Sequence, residues 1–379
     1  MSFAVRFVQS EAQIDAQLWE ACFPPPLEGR WWYATLERAG LEDQFTFLYG
    51  VIERDGVPVG IAPAFVMDFP VALVAPPALL GTVARLEKLF PRLVKPRTLF
   101  VGSPCADEGT VGMLPGVDTS GALRALQQAL EAQARELGAP LLVWKDCPAD
   151  LEWLAREAGL FPVVSFPGTL VELGDSKEAY FAGLKGSRRH QLRKKIRRSA
   201  AAVAVRVDVV QRPDERTLDA VFALFWQTYE KATTKFEKLN RRFFELIAER
   251  PQAHFVLLRE RSTGDLVAFM LCFDLGTKVI NKFIGIDYTR PKEWLLYFRL
   301  WDAAVDWALA RGAAAIQSGQ TGYAPKIETG HRLVPLTNYC AHRNGVIHAV
   351  ARLAARRIDW STLDDDLARY ARAHPEELY

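Results

Sequence analysis

The chain has 379 residues, half of them hydrophobic and 24% charged, with 47 Lys and Arg against 45 Asp and Glu for a net charge of +2. That length favours two domains over one ordinary core, and near-neutrality excludes binding driven by global charge while leaving local patches open. The five cysteines (Cys22, Cys105, Cys147, Cys272, Cys340) are scattered and form no CxxC pair, which argues against a disulfide framework and against a metal site.

In chain order, residues 1–6 lack the basic and apolar regions of a leader peptide. The most apolar stretch, 71–81, is about half a bilayer span and contains two prolines. No transmembrane segment is therefore expected, and cytoplasm is the expected compartment. Helices are expected at 11–22 and 30–39, then a hairpin over 47–67 turning at Asp55-Gly56. A Pro-rich segment (70–96) and a glycine-rich loop, "GTVGMLPGVDTSG" (109–121), precede a helix with Leu123, Leu126, Leu130 and Leu137 on one stripe. Gly138 closes that helix, because a glycine adopts the left-handed C′ conformation at little cost, and a short apolar strand follows. The plan then repeats. Helices at 214–232 and 240–249 lead to a hairpin over 255–274 turning at Ser262-Thr263-Gly264. A helix carrying Trp294, Phe298, Trp301, Val305 and Ala308 closes at Gly312 before another short strand.

From Gly60 to Gly138 is 78 positions and from Ala268 to Gly312 is 44, so the first copy carries an insertion of 34 residues. The pattern predicts an α/β protein of α+β type, with two duplicated units of mainly antiparallel sheet flanked by helices. The expected divisions are 1–168, 169–345 and a helical C-terminal cover over 346–379. Around the first division Asp175 and Glu178 have capping-box spacing, and Ser187 is a candidate cap for a following helix. That helix carries "KGSRRHQLRKKIRRS" (185–199), with eight Lys or Arg and no acid.

The stretch 319–344, "GQTGYAPKIETGHRLVPLTNYCAHRN", follows the second unit's strand and gathers Tyr323, Lys326, Glu328, His331, Tyr339 and His342. Its spacing at Gly319, Lys326, Gly330, Pro335, Tyr339, Ala341 and His342 resembles the Fem-like branch of the GNAT acyltransferase superfamily. That branch includes proteins labelled peptidoglycan biosynthesis or recognition. The basic run matches an element of the same family at Ser187, Arg188, Arg189, Arg193, Ile196, Arg197 and Arg198. The resemblance is good over 170–345 and architectural over 1–165. It implies tandem GNAT-like units and transfer of an acyl group to an amine by direct attack.

Such chemistry needs a base and an oxyanion donor. Asp107, Glu108 or Glu328 is a candidate for the first role, and Tyr323, Lys326 or a strand amide for the second. Tyr323, Lys326, Glu108 and His342 are the expected catalytic residues. Arg188, Arg189, Arg290, Lys292 and Gly319 are the expected cofactor-binding residues. Cys105 has no histidine positioned with it in sequence, so it reads as a structural thiol.

An acyl-CoA is the expected co-substrate, with a small-molecule or peptide amine as acceptor. An aminoacyl-tRNA is the alternative donor, disfavoured because no long helical hairpin is present. DNA is not an expected partner. At the position where acetyl-CoA users carry a glycine-rich diphosphate loop, this chain has "DYTRPKEW" (287–294), with Arg290 and Lys292 but no glycines. The loop 109–121 reads either as a displaced phosphate cradle or as a mobile insertion. A non-catalytic binding module is the remaining alternative. The basic run reads as one wall of a phosphate-binding site, as a solvated helix face, or as a nucleic-acid or membrane patch.

Overall fold

The computed structural model describes residues 2–73, 77–232, 235 and 238–374. The first unit runs β1 (Phe3–Val8), α1 (Ala16–Cys22), α2 (Arg30–Arg38), β2 (Thr46–Arg54), β3 (Val57–Asp68), α3 (Pro77–Leu89), α4 (Pro91–Val94), β4 (Arg97–Val101), β5 (Gly112–Met113), α5 (Thr119–Glu136), β6 (Leu141–Cys147), α6 (Glu152–Glu157) and β7 (Phe161–Val164). Next come β8 (Gly168–Glu172), α7 (Lys177–Gly183), α8 (Gly186–Ala202), β9 (Val205–Val210), α9 (Glu215–Lys231), α10 (Arg241–Ala248), β10 (Ala253–Glu260), β11 (Leu266–Asp274), β12 (Lys278–Ile286), α11 (Leu296–Ala310), β13 (Ala315–Ser318), α12 (Tyr323–Glu328) and β14 (Arg332–Val334). The chain ends with β15 (Thr337–His342), α13 (Gly345–Ala355) and α14 (Asp365–Ala373).

Two sheets result, and they share one plan. The first is ordered β1-β2-β3-β4-β6-β15-β7, with β5 on β3, and the second is ordered β9-β10-β11-β12-β13-β8-β14. Each is antiparallel except for one parallel step, β4 to β6 and β12 to β13. Those are the steps that a long crossover helix makes possible, α5 in one unit and α11 in the other. The helices bury Leu123, Leu126 and Leu130, and Phe298, Trp301, Val305 and Ala308, of the stripes expected of them, whereas Leu137 is a half-buried C-cap and Trp294 lies half-buried in the turn before α11. They close at Gly138 (φ 66°) and Gly312 (φ 75°).

In the duplicated plan, the strand that follows each unit's run joins the other unit's sheet. β8 follows β7 in the chain but lies between β13 and β14, whereas β15 follows β14 but lies between β6 and β7. Residues 337–342, inside the 169–345 stretch expected to form the second unit, therefore complete the first sheet.

The extra length of the first copy falls in two places. Residues 69–96 join β3 to β4, where the second unit has only 275–277, and the segment before α5 is longer than its counterpart before α11. The glycine-rich loop 109–121 packs into the first unit. β5 pairs with Gly60 and Ile61, and a Cβ on Gly109 would lie 2.0 Å from the Lys145 carbonyl and one on Gly112 2.5 Å from the Cys22 carbonyl. These glycines are required for close packing.

The caps of α7 and α8 also differ from expectation. Gly174 turns the chain at φ 69°, so α7 starts one residue late and Ser176, not Asp175, accepts from the Ala179 N–H. Ser187 lies inside α8, whose N-cap is Lys185 without a side-chain bond.

The units meet through α2 and α10. Trp32 is fully buried with its ring 6.0 Å from Phe243 and 5.7 Å from Phe273, and one continuous apolar cluster spans both units. Burying each such ring contributes about 2–3 kcal/mol. Asn240 Nδ2 donates to the Ala39 carbonyl at 2.7 Å, which also ties the units together.

Candidate active site

Between the two sheets lies a cleft of about 1060 Å³. Its walls come from β3, β4, β6 and the Cys105–Asp107 loop on one side, and from α9, β12 and residues 319–326 on the other. The start of α14 closes one end through Asp364 and Asp366, and Asp366 Oδ2 accepts the Ala324 N–H at 2.9 Å.

Three cleft residues hold left-handed backbone conformations without being glycine: Cys105 (φ 56°), Asp146 (φ 51°) and Thr321 (φ 64°). Each costs about 1 kcal/mol or more and persists only where the surroundings enforce it, as at functional sites. At Asp146 the enforcement is visible: its backbone N–H donates to Asn338 Oδ1 on the exchanged strand β15 at 2.8 Å, and its carboxylate accepts from Ser165 and pairs with Lys145.

The centre of the cleft is built around Asp107, Lys282, Gly319 and Lys326. β12 carries a bulge: Leu271 pairs with Phe283 and Cys272 with Asn281, which leaves Lys282 as the extra residue. A bulge re-aims a side chain, and here it turns a lysine inward from an apolar strand. The Lys282 side chain is 1% exposed, with Nζ 2.7 Å from Glu28 Oε1, 3.8 Å from Asp107 Oδ1 and 4.7 Å from the Trp32 ring centre. Burial alone would lower its pKa, but Asp107 and Glu28 outweigh burial and hold it well above the usual lysine value. Asp107 also accepts from Gln317 Nε2 at 3.4 Å.

Gly319 lies against that carboxylate, since a Cβ there would stand 2.9 Å from Asp107 Oδ1. Lys326 Nζ donates to the carbonyls of Gly319 (2.8 Å) and Gln320 (3.2 Å). Burial brings its pKa down to about 8. His331 below it is buried and driven to about 3, first by desolvation and then by Lys326, so it stays neutral and bridges Ser318 Oγ and the Lys326 carbonyl.

Of the residues expected from sequence, Asp107, Gly319 and Lys326 line the cleft, whereas Glu108, Tyr323, Glu328, His342, Arg188, Arg189, Arg290 and Lys292 are not among its lining residues. Tyr323 is fully buried in a satellite cluster and its hydroxyl donates to the Pro167 carbonyl at 2.8 Å. Glu108 is exposed and turns away to a small crevice, leaving its neighbour Asp107 facing the cleft. His342 sits on β15, where its Nδ1 accepts the Asn344 N–H at the start of α13. Arg290 is consumed by Asp287, Glu260 and Asp265, each at 2.9–3.0 Å, and Lys292 is exposed beside it.

The basic run forms α8, which packs Leu192, Ile196 and Ser199 against α11 and the turn before it, so Arg188 and Arg189 lie outside the cleft lining. Arg193 lies over the Phe181 ring, and Lys195 pairs with Glu328, which is not among the residues lining the cleft. Sequence reasoning missed Lys282 and Glu28. The available signal was a lone lysine inside "VINKFIGI", a charge that an apolar strand buries only with a partner.

No curated protein matches the chain by sequence. Solved structures do. FemX shares 12% identity over 92% of this chain and 100% of its own, with a TM-score of 0.61. L-PGS from Bacillus licheniformis shares 13% over 88% and 98%, with a TM-score of 0.54. A tandem GNAT protein from the clavulanic acid biosynthesis pathway shares 12% over 90% and 99%, with a TM-score of 0.53. At such identities the likeness is one of fold, and it is the tandem GNAT fold that the family resemblance implied. The FemAB-like family model, described as peptidoglycan biosynthesis/recognition, matches residues 115–356, well over half the sequence, and the chain belongs to that family.

Proposed function

We propose that the cleft transfers an acyl group from an activated ester to a primary amine, with Asp107 as base and Lys326 as oxyanion donor. The family and the tandem transferase fold support acyl or aminoacyl transfer as the reaction class. The observation that carries the finer reading is the flanking of Gly319 by the Asp107 carboxylate from one unit and the Lys326 ammonium from the other. The incoming amine gives its proton to Asp107, directly or through one water, and its nitrogen attacks the acyl carbon. Lys326 spends two N–H groups on carbonyls and keeps one for the developing oxyanion. Collapse breaks the bond to the donor's oxygen or sulfur; Lys326, with a pKa near 8, gives its proton to the leaving group and is recharged by the proton that Asp107 took from the amine, so both groups end as they began.

Between the donor classes the geometry favours an aminoacyl ester of RNA over a CoA thioester. A diphosphate needs free amides at a helix N-terminus. At α5 the Asp118 carboxylate already accepts the Gly121 N–H at 3.1 Å. At α11 the N-cap is left-handed Leu295, α8 packs over the preceding turn, and Arg290 is neutralised by acids. The test is transfer of a labelled amino acid from charged tRNA to an amine acceptor, with and without ribonuclease, beside calorimetry with a panel of acyl-CoA thioesters. Ribonuclease-sensitive transfer and no CoA binding at millimolar concentration are expected. Ribonuclease-resistant turnover of an acyl-CoA would overturn the donor assignment.

A further inference from the structure

Helix α13 is apolar on both sides. Its inner side packs on β7 and β15 through His348, whose ring stands edge-on to Phe161 at 5.0 Å, and through Ala351 and Ala355. Its outer side carries Val346 (74% exposed), Val350 (63%) and Leu353 (59%), with Ile347 beside them. A ridge of large aliphatic side chains at this exposure has an occupant in most soluble proteins. Arg343, Arg352, Arg356 and Arg357 surround it, no Asp or Glu occurs from 343 to 358, and none of these arginines pairs with an acid among the described residues.

We propose that α13 is a docking element for an anionic lipid surface, on which the outer aliphatic side chains enter the headgroup boundary and the arginines meet lipid phosphates. An in-plane amphipathic helix works in this way, combining buried apolar area with attraction to anionic lipid. A projecting ridge suits a plane, whereas a protein partner would need a matching groove. A second copy fits worse, because a two-fold contact through this face would set the same unneutralised arginines against each other. Docking by α13 does not require a spanning segment, and no helix among the described residues is long and apolar enough to cross a membrane. The inference does not depend on acyl transfer, so its failure and that of the proposed reaction are separable.

The test is co-sedimentation of the full chain with phosphatidylcholine vesicles, with and without about one-third phosphatidylglycerol. Binding to the anionic vesicles only is expected, weakening with salt. Val350→Asp with Leu353→Asp is expected to lower the partition coefficient at least about tenfold, with an unchanged melting temperature because both sites are exposed. Arg352→Gln with Arg356→Gln, which leaves the ridge intact, is expected to lower it about fivefold per arginine at low salt. Arg197→Ala with Arg198→Ala on α8 is expected to leave it within about twofold, because that helix has no outward apolar face. No sedimentation with anionic vesicles, or equal binding by the Val350/Leu353 variant, would overturn the proposal. So would lipid-free self-association that the same variant abolishes, which would assign the face to a second copy.

Discussion

β4 and β12 occupy the same place in the two sheets, and both border the cleft, but they are built differently. β4 is five residues of regular pairing and presents Phe100, stacked on Phe65 at 4.9 Å. β12 is nine residues long, bulged at Lys282, and presents a buried cation. The duplicated plan therefore supplies two frames of which one has been broken to hold charge. The unbroken frame contributes the acids that the charge requires, Glu28 and Asp107.

The largest way to test this asymmetry is to neutralise the bulge. Lys282→Met leaves Glu28 buried without its cation and is expected to cost about 3–5 kcal/mol in denaturant unfolding, against about 1 kcal/mol for Phe100→Leu. Equal costs would mean that the two strands are equivalent. Next in size is the acid pair in the first unit's loop. Asp107→Asn is expected to lower kcat/KM for transfer about 10²–10⁴-fold, whereas Glu108→Gln, one residue away and exposed, changes it less than about twofold. A reversal of those two effects would return the base to Glu108.

Lys326 gives the third contrast. In the proposed reaction Lys326 works protonated, so the rate is expected to fall as pH rises through about 8, and Lys326→Met to remove both that limb and about a hundredfold of the rate. Stability has the opposite sign. The unfolded lysine keeps its proton up to 10.5 while the folded one releases it near 8, so this residue's contribution makes the fold more stable as pH rises between those values. The methionine variant loses that rise. The smallest effect is expected at Arg290. Its three exposed-side ion pairs are structural, so Arg290→Ala costs about 1 kcal/mol and leaves donor affinity unchanged. Weakened donor binding would restore it to the site.

The sequence made the architecture legible because helix stripes, Gly138, Gly312 and the hairpin turns are local signals that each unit repeats. It made Lys326 and Gly319 legible through their spacing. It did not make Lys282 legible, because the bulge depends on how β12 registers against β11 rather than on any nearby residue. Asp107 and Glu108 are chemically alike and adjacent in a loop, so only tertiary packing decides which one turns inward. Arg290 and the arginines of α8 drew attention by charge, yet apart from Asp287, three residues before Arg290, the acids concerned (Glu260 and Asp265 for Arg290, Glu328 for the neighbouring Lys195) lie many positions away. The exchange of β8 and β15 is equally non-local, since β8 pairs with β13 and β15 with β6, each far away in the chain.

That exchange sets the timetable of folding. Ala341 faces Leu142 across the first sheet, nearly two hundred residues earlier in the chain. Until the ribosome has released β15, β6 and β7 have no strand between them, and the first unit waits with two open edges. Such long-range closure is slow and exposes surface that can pair wrongly. The N-terminal half cut out alone would carry that gap permanently, so the two halves are expected to gain and lose their structure together.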